Sequence, residues 1–141
     1  MNSEIGIGRV KLADNTVIRL KILIIDAKES GFSPFGNINF DVKVIGGITV
    51  ESLPENLRKI VADKPLAPSE LPKDGWEIID IVEQEPAIAE VIVNTSKGKF
   101  RIKVVAEAVM ASRNIMYRSS HDEPSYSLLW VNKISWKATE G

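Results

Sequence analysis

The chain of 141 residues contains no cysteine and only one histidine. Without cysteine it can form no disulfide bond, no cysteine-ligated zinc or iron–sulfur site and no thiol nucleophile. A metal site would need more histidines or a convergent set of carboxylates, and neither spacing is present. We therefore expect no metal ion and no other cofactor, and the lack of cysteine fits a cytoplasmic protein.

Long apolar runs are also missing from the sequence. The aliphatic run at residues 22–25 is far shorter than the roughly 20 residues that a membrane-spanning helix needs. Residues 1–10 lack a basic segment followed by an apolar stretch, so no signal peptide is expected. Eighteen isoleucines and a single glutamine are typical of thermophilic proteins, although eight asparagines are not. These features predict a soluble protein without a membrane partner.

Charge is distributed unevenly, although the net charge is only −1. Residues 1–50 have six Lys or Arg and five Asp or Glu, residues 51–90 have four and ten, and residues 91–141 have eight and four. The basic last third indicates either a polyanion site or contact with the acidic middle segment, in this chain or in a second copy. An ordinary mixed surface is the simpler explanation.

Alternating apolar and polar residues predict a hairpin at the start of the chain. Its strands are residues 4–12 and 16–26, and Asp14 and Asn15 between them tolerate the backbone angles of a tight turn. Four aliphatic residues share one face of the second strand: Ile18, Leu20, Ile22 and Ile24. We expect this face to be buried.

A loop and a third strand follow the predicted hairpin. The loop, residues 29–37, is rich in Gly, Ser and Pro and carries Phe32 and Phe35. The strand covers residues 39–50, and Gly46-Gly47 predicts a bulge or a turn within it.

One helix is predicted, at residues 52–64. Ser52 and Glu55 have the spacing of a capping box, and Pro65 ends the helix. The proline-rich connector at residues 65–75 resists both helix and central strand, so it is either a stiff surface crossing or a boundary between two half-units.

Strands return from Trp76 onward. Their predicted positions are residues 76–83, 87–93, 99–109 and 126–137. Residues 110–118 fit a strand or a short helix equally well. Asp80 shares a predicted strand face with Trp76, Ile78 and Val82, which indicates partial burial beside Arg101 or Lys103.

The fold class that these elements predict is mainly β, an antiparallel sandwich or barrel of about six or seven strands with one helix between strands 3 and 4. Residues 17–27 and 99–108 both place Arg, an apolar residue and Lys before an aliphatic run. This repeat favours a duplicated three-stranded unit, with half-units 1–64 and 75–141 in a single domain 1–141. The alternative is an OB-type barrel with a C-terminal extension.

Cations on the repeated strands define the first group of candidate binding residues. Arg19 and Lys21 occupy the first repeat, and Lys99, Arg101 and Lys103 occupy the second. Like charges opposite one another destabilise a sheet, so carboxylates, solvent or a bound anion must offset them. The last third adds cations near aromatic residues, as in single-strand nucleic-acid grooves. The further candidates there are Arg113, Tyr117, Arg118, His121 and Tyr126.

Two motifs resemble catalytic or phosphate-binding signatures but have simpler explanations. His121 lies in a Ser-rich loop beside Asp122, where a general base is conceivable, although adjacent loop residues rarely aim at one point. Gly6 and Gly8 match two glycines of a phosphate loop, but their alternation with isoleucines fits a strand better. We therefore assign no catalytic residue.

The function that the sequence favours is a non-catalytic binding or assembly domain, which binds another protein or copies of itself. The first alternative is a binder of single-stranded nucleic acid or another polyanion. The second alternative is a small enzyme centred on the His121 loop.

Overall fold

The computed structural model describes residues 4–139. The first three strands form an antiparallel meander. Strand β1 (Ile5–Leu12) pairs with β2 (Val17–Gly31), and the other edge of β2 pairs with β3 (Asn39–Ser52). Residues 1–3 and 140–141 of the predicted half-units lie outside the described residues.

The tight turn between β1 and β2 forms as the sequence predicts. Asn15 takes a left-handed φ of 70°, and an Asp14 carboxylate oxygen accepts a 3.0 Å hydrogen bond from the Thr16 amide. The four aliphatic residues on the predicted inner face of β2 are all buried. Local alternation and turn chemistry therefore account for this hairpin.

The predicted interruption of the third strand at Gly46-Gly47 is wrong. Both glycines pair in regular register with Ile22 and Lys21 of β2. Gly46 makes room for a neighbouring side chain instead, because a Cβ atom at this position would lie 2.8 Å from the Trp130 ring. The missing side chain lets the indole pack between the sheets.

The helix α1 (Glu55–Val61) is shorter than the predicted 52–64. Ser52 is the last residue of β3, Pro54 occupies the N-cap and no side chain caps the helix, so the predicted capping box does not form. Leu57 and Val61 are buried. In the connector that follows, the only strand-like pairing among described residues is a bridge from Leu66 to Arg118.

The predicted strand at residues 76–83 is two strands. Strand β4 (Trp76–Ile79) and strand β5 (Ile81–Glu85) are separated by Asp80, where the chain passes from one sheet to the other. The break reverses the expected face, because Ile78 is 69% exposed and Val82 is 58% exposed. Asp80 is exposed as well, so its predicted burial is wrong and it pairs with neither predicted cation.

A second three-stranded meander completes the chain. Strand β6 (Ala87–Thr95) pairs with β7 (Gly98–Asn114), which pairs with β8 (Ser125–Ala138). Most of the ambiguous stretch, through Asn114, is strand. The predicted inner face of β8 is correct for Leu128, which is buried, and for Trp130, which packs against the core.

The strands form two antiparallel sheets. Sheet 1 has the order β3-β2-β1-β5, and in sheet 2 one edge of β7 pairs with β8 while its other edge pairs with β6 and β4. The main core draws on both sheets, including Leu20, Ile22, Val104 and Ala106. The sheets do not close into a barrel. The predicted sandwich is therefore confirmed, and the alternative of an OB-type barrel is wrong.

The two meanders share one plan, as the repeat predicts. Each has a long middle strand, β2 or β7, that carries the Arg-x-Lys motif near its start and pairs along both edges. The eight strands within residues 4–139 exceed the predicted number because the chain divides at Asp80. Within residues 4–139, no helix is long and apolar enough to cross a bilayer.

Candidate functional site

The two Arg-x-Lys motifs point away from each other on opposite sides of the sandwich. Arg19 and Lys21 are exposed on the outer face of sheet 1, and Arg101 and Lys103 are exposed on the outer face of sheet 2. Their apolar neighbours Leu20 and Ile102 are buried between the sheets. The motifs therefore cannot form one site, and each face must be considered separately.

On sheet 1 one carboxylate bridges the two opposed arginines and offsets part of their charge. Arg9 and Arg19 lie directly opposite each other in the β1–β2 register. Glu51 joins them, with one carboxylate oxygen 2.9 Å from Arg9 Nε and the other 2.9 Å from Arg19 Nη2. Hydrogen bonds from Arg19 and Arg9 lower the pKa of Glu51, which keeps it ionised. Glu85 lies opposite Arg9 on β5.

On sheet 2 the equivalent cations are not bridged in this way. Arg101 lies directly opposite Lys137 of β8. The nearest carboxylate is that of Glu90, at 3.9 Å from Arg101 Nε. Among residues 4–139, no carboxylate lies within 4.0 Å of the ammonium groups of Lys99, Lys103 or Lys137. Like charges placed opposite each other cost stability. Glu90 lies directly opposite Lys103 on β6 and offsets part of this charge, but no carboxylate among residues 4–139 bridges Arg101 and Lys137.

We call the group formed by Lys99, Arg101, Lys103 and Lys137 the basic face. Alternate residues along β7 are spaced about 6.7 Å apart on the same side of the sheet. The first three cations therefore form a straight row about 13 Å long. A concavity of about 730 Å³ lies beside them, lined by Arg101, Lys103, Lys137 and Glu90 together with the end of β8.

The tryptophans of β8 are half-buried, and Trp136 is also one of the residues that line the concavity. The centroids of the Trp136 and Phe40 rings lie 5.3 Å apart in an edge-on arrangement. Trp136 Nε1 donates a 2.9 Å hydrogen bond to the Phe35 carbonyl oxygen. Trp130 packs against Gly46. The loop aromatic residue Phe32 is 73% exposed but lies outside the residues that line the concavity. The concavity beside the basic face is thus lined mainly by charged groups, with Trp136 as its aromatic member.

Arg113 and Tyr126, both candidate binding residues, are joined in a polar cluster at the end of the sandwich. Arg113 Nη1 lies 3.0 Å from Asp14, and its Nε lies 2.7 Å from Glu77. The Tyr126 hydroxyl donates a 2.9 Å hydrogen bond to Asp14 and lies 2.8 Å from the hydroxyl of buried Thr16. These contacts tie the β1–β2 turn to sheet 2.

The titrations of the cluster follow from those contacts. Burial raises the pKa of Tyr126 to about 12, and the hydrogen bond to Asp14 acts in the same direction. Burial alone would raise the pKa of Asp14, but hydrogen bonds from Thr16, Tyr126 and Arg113 outweigh it, so the pKa is lowered. Burial opposes the charge of Arg113, but Glu77 and Asp14 raise its pKa overall. Asp14 and Arg113 therefore stay charged, and their charges serve contacts within the fold.

The loop with His121 lies beside α1 rather than at the basic face. Two open concavities of about 610 and 500 Å³ share Arg58 and His121. Arg58 is engaged, since its Nη2 donates a 3.0 Å hydrogen bond to Glu123. Ser119 Oγ accepts hydrogen bonds from the backbone amides of His121 and Glu123, which gives it a role in the turn.

The remaining loop candidates do not join His121 in a constellation. Arg118 pairs with Asp122 at 2.7 Å, and Tyr117 is half-buried in the same segment. Within residues 4–139, no side chain hydrogen-bonds to the His121 imidazole, and no group of three or more His, Asp or Glu residues is placed to hold a metal ion. The geometry of a positioned general base is thus not seen among the described residues.

Sequence reasoning missed the contacts of three residues that define these surfaces, although Lys137 belongs to the cations of the basic last third. Glu51 bridges the arginines of sheet 1, Lys137 faces Arg101 across β7 and β8, and Gln84 joins the two sheets. No local signal marks the first two, because cross-strand partners depend on register. Gln84 is the only glutamine in the sequence, which is a weak signal at best.

Comparison of the chain with protein-family models, with curated proteins and with solved structures gave no match.

Proposed function

We propose that this chain is a non-catalytic binding domain and that the basic face on sheet 2 binds a polyanion. The observation that carries the proposal is the contrast between the two sheets. Glu51 bridges the opposed arginines of sheet 1, whereas on sheet 2 no carboxylate among residues 4–139 bridges Arg101 and Lys137, and Glu90 lies 3.9 Å from Arg101 Nε. A bound polyanion supplies the negative charge that the sheet itself does not provide.

The ligand chemistry is a flexible chain of phosphate or sulfate groups. Three cations repeat about every 6.7 Å along β7, which suits a row of anions more than a single small one. Cations outnumber aromatic residues in the concavity, where Trp136 is the one aromatic side chain, so recognition rests mainly on the charge of the ligand's phosphates and is largely insensitive to base identity. A location in the cytoplasm, where nucleic acids are available, belongs to the same proposal.

Fluorescence anisotropy with a labelled single-stranded oligothymidine tests the proposal. Binding should weaken as salt rises, with a log–log slope of about −2 to −3 for three to four phosphate contacts. Arg101→Gln should weaken binding roughly fivefold and reduce the slope by about 0.7. Unlabelled polyphosphate should compete with the oligonucleotide, since both offer the same charges.

Arg19→Gln is the matched control, because it removes the same charge from the equivalent strand of sheet 1. It should leave oligonucleotide binding unchanged, since Arg19 is occupied by Glu51. The proposal fails if the wild-type chain does not bind even at low salt. It fails equally if Arg19→Gln and Arg101→Gln weaken binding to the same extent.

A further inference from the structure

A smaller concavity of about 300 Å³ adjoins the basic face along β8. We call it the aromatic pocket, and it is lined by Phe35, Ile134, Ser135 and Trp136. Ser135 and Trp136 also line the larger charged concavity, so the two spaces share a wall. Trp136 is followed in β8 by Lys137, which lies opposite Arg101 of the basic face. The aromatic pocket is therefore continuous with the proposed polyanion site.

The aromatic side of the pocket is held in place by the fold itself. The Trp136 indole packs against Phe40, whose ring centroid lies 5.5 Å from that of Phe100. The Phe35 amide donates a 3.1 Å hydrogen bond to Ser33 Oγ, and the Phe35 carbonyl oxygen accepts the bond from Trp136 Nε1. The Phe35 ring nevertheless remains 72% exposed. An open aromatic ring on a fixed backbone loses little conformational entropy when a ligand packs on it.

The chemistry of the aromatic pocket distinguishes between classes of polyanion. Polyphosphate and sulfated polysaccharides carry charge but no aromatic plane, whereas each nucleotide of a nucleic acid joins a phosphate to a flat base. A duplex keeps its bases paired and stacked inside, but a single strand leaves their faces free. Proteins that bind single strands without sequence preference combine a cationic groove with aromatic side chains on which bases stack. Stacking accepts every base, so it adds affinity without reading the sequence.

We propose that the aromatic pocket receives one base of a single-stranded nucleic acid whose phosphates lie on the basic face. The inference rests on the proposed polyanion function and narrows its ligand class. Phe35 and Trp136 provide the stacking surfaces. The cations of the adjoining concavity bind the phosphates on the outer face of sheet 2. A strand with bases therefore binds more tightly than a chain of equal charge without them.

Fluorescence anisotropy with two labelled strands of equal length tests the inference. One strand is oligothymidine, and the other is an abasic strand with the same sugar–phosphate backbone and the same charge. The wild-type chain should bind oligothymidine roughly tenfold more tightly than the abasic strand, as expected for one stacked base. Phe35→Ala should remove most of this preference and leave binding of the abasic strand unchanged. The salt slope should stay at the wild-type value, because the substitution removes no charge.

The matched control is Phe32→Ala in the same loop. Phe32 is 73% exposed, close to the 72% of Phe35, but it is not among the residues that line either concavity. This control should keep the full preference for oligothymidine. Phe35→Ala should fold, because it retains the backbone groups that bond to Ser33 and Trp136, and circular dichroism checks both variants.

The outcomes separate this inference from the function on which it rests. Equal affinity of the wild-type chain for the two strands would overturn the inference and leave the polyanion function standing. Equal effects of Phe32→Ala and Phe35→Ala on oligothymidine binding would do the same. A wild-type chain that binds neither strand at low salt would overturn both.

Discussion

Replacing Gly8 with alanine is expected to destabilise the fold strongly, because the two sheets meet at this residue. A Cβ atom on Gly8 would lie 2.6 Å from the Ala87 amide nitrogen, 2.8 Å from the Pro86 carbonyl carbon and against the Glu85 carbonyl oxygen. Ordinary contact begins at 3.4 Å, so the strands must separate by about 0.8 Å. All three atoms belong to the backbone, and rotation of a side chain cannot relieve the contact.

The size of the effect follows from what that separation disturbs. Strand β1 pairs with β5 at Arg9 and Glu85, directly beside Gly8. Loss of one or two backbone hydrogen bonds costs about 0.5–1.5 kcal/mol each. Overpacking of the core next to the crossing adds about 1–3 kcal/mol. We expect a loss of about 2–4 kcal/mol from a total stability of about 5–15 kcal/mol.

Equilibrium unfolding in urea measures this loss. With a slope of about 2 kcal/mol per molar urea, the midpoint of Gly8→Ala should fall by about 1–2 M. Gly47→Ala is the matched control, because no heavy atom lies within 4 Å of its Cβ position. Gly46→Ala should fall between them, since its shortest contact is 2.8 Å to the Trp130 ring and its contacts to Ile22 Cγ2 and the Lys21 carbonyl oxygen, at 3.3 Å, are only slightly tight. A Gly8→Ala midpoint equal to that of Gly47→Ala would refute the reasoning.

Two further predictions concern the contacts between the sheets. The Gln84 side chain donates a 3.0 Å hydrogen bond to the Ala108 carbonyl oxygen and accepts a 2.9 Å hydrogen bond from the Ala108 amide. Gln84→Ala should therefore lower the free energy of unfolding, measured in urea, by about 1–3 kcal/mol. Gln84→Glu should restore only part of this loss, because an ionised carboxylate cannot donate to the carbonyl; complete recovery would contradict the assigned bonds. Folding lowers the pKa of Asp14, so its ionised form stabilises the protein above the unfolded pKa near 3.8, and the contribution is lost as pH falls through the folded pKa. The difference in unfolding free energy between wild type and Asp14→Asn should therefore be constant near neutral pH and shrink below about pH 4, whereas a difference that does not change with pH would show that the Asp14 charge is not involved.

The strands and their inward faces could be predicted because alternation is a local signal. Ile18 and Ile24 are both buried on β2, and Leu128 is buried on β8, as their spacing indicates. Gly6 and Gly8 lie in a strand, which their alternation with isoleucines also indicates. Each of these predictions depends only on residues close together in the chain.

The errors arose where long-range packing overrides local pattern. Asp80 was placed on a buried face because residues 76–83 look like one strand, but the chain changes sheets there and the alternation shifts phase. Ser52 has the spacing of a helix cap, yet pairing with β2 keeps it in β3. Sequence spacing alone contains no information about either competing contact.

The candidate site was predictable in part for the same reason. The repeated Arg-x-Lys pattern correctly places Arg101 and Lys103 on one outward face. The opposition of Arg101 to Lys137 and the bridge that Glu51 makes to Arg19 depend on strand register across long stretches of chain. The contrast between the two sheets, on which the proposed function rests, is therefore visible only in three dimensions.

The passage of the chain between sheets at Asp80 interlocks the two repeated halves. Strand β5 follows the proline-rich connector in the sequence, yet it covers the outer edge of β1 in the first half. A fragment that ended at the connector would leave that edge bare and prone to pair with other chains. The first meander therefore depends on a strand from beyond the connector to protect its edge.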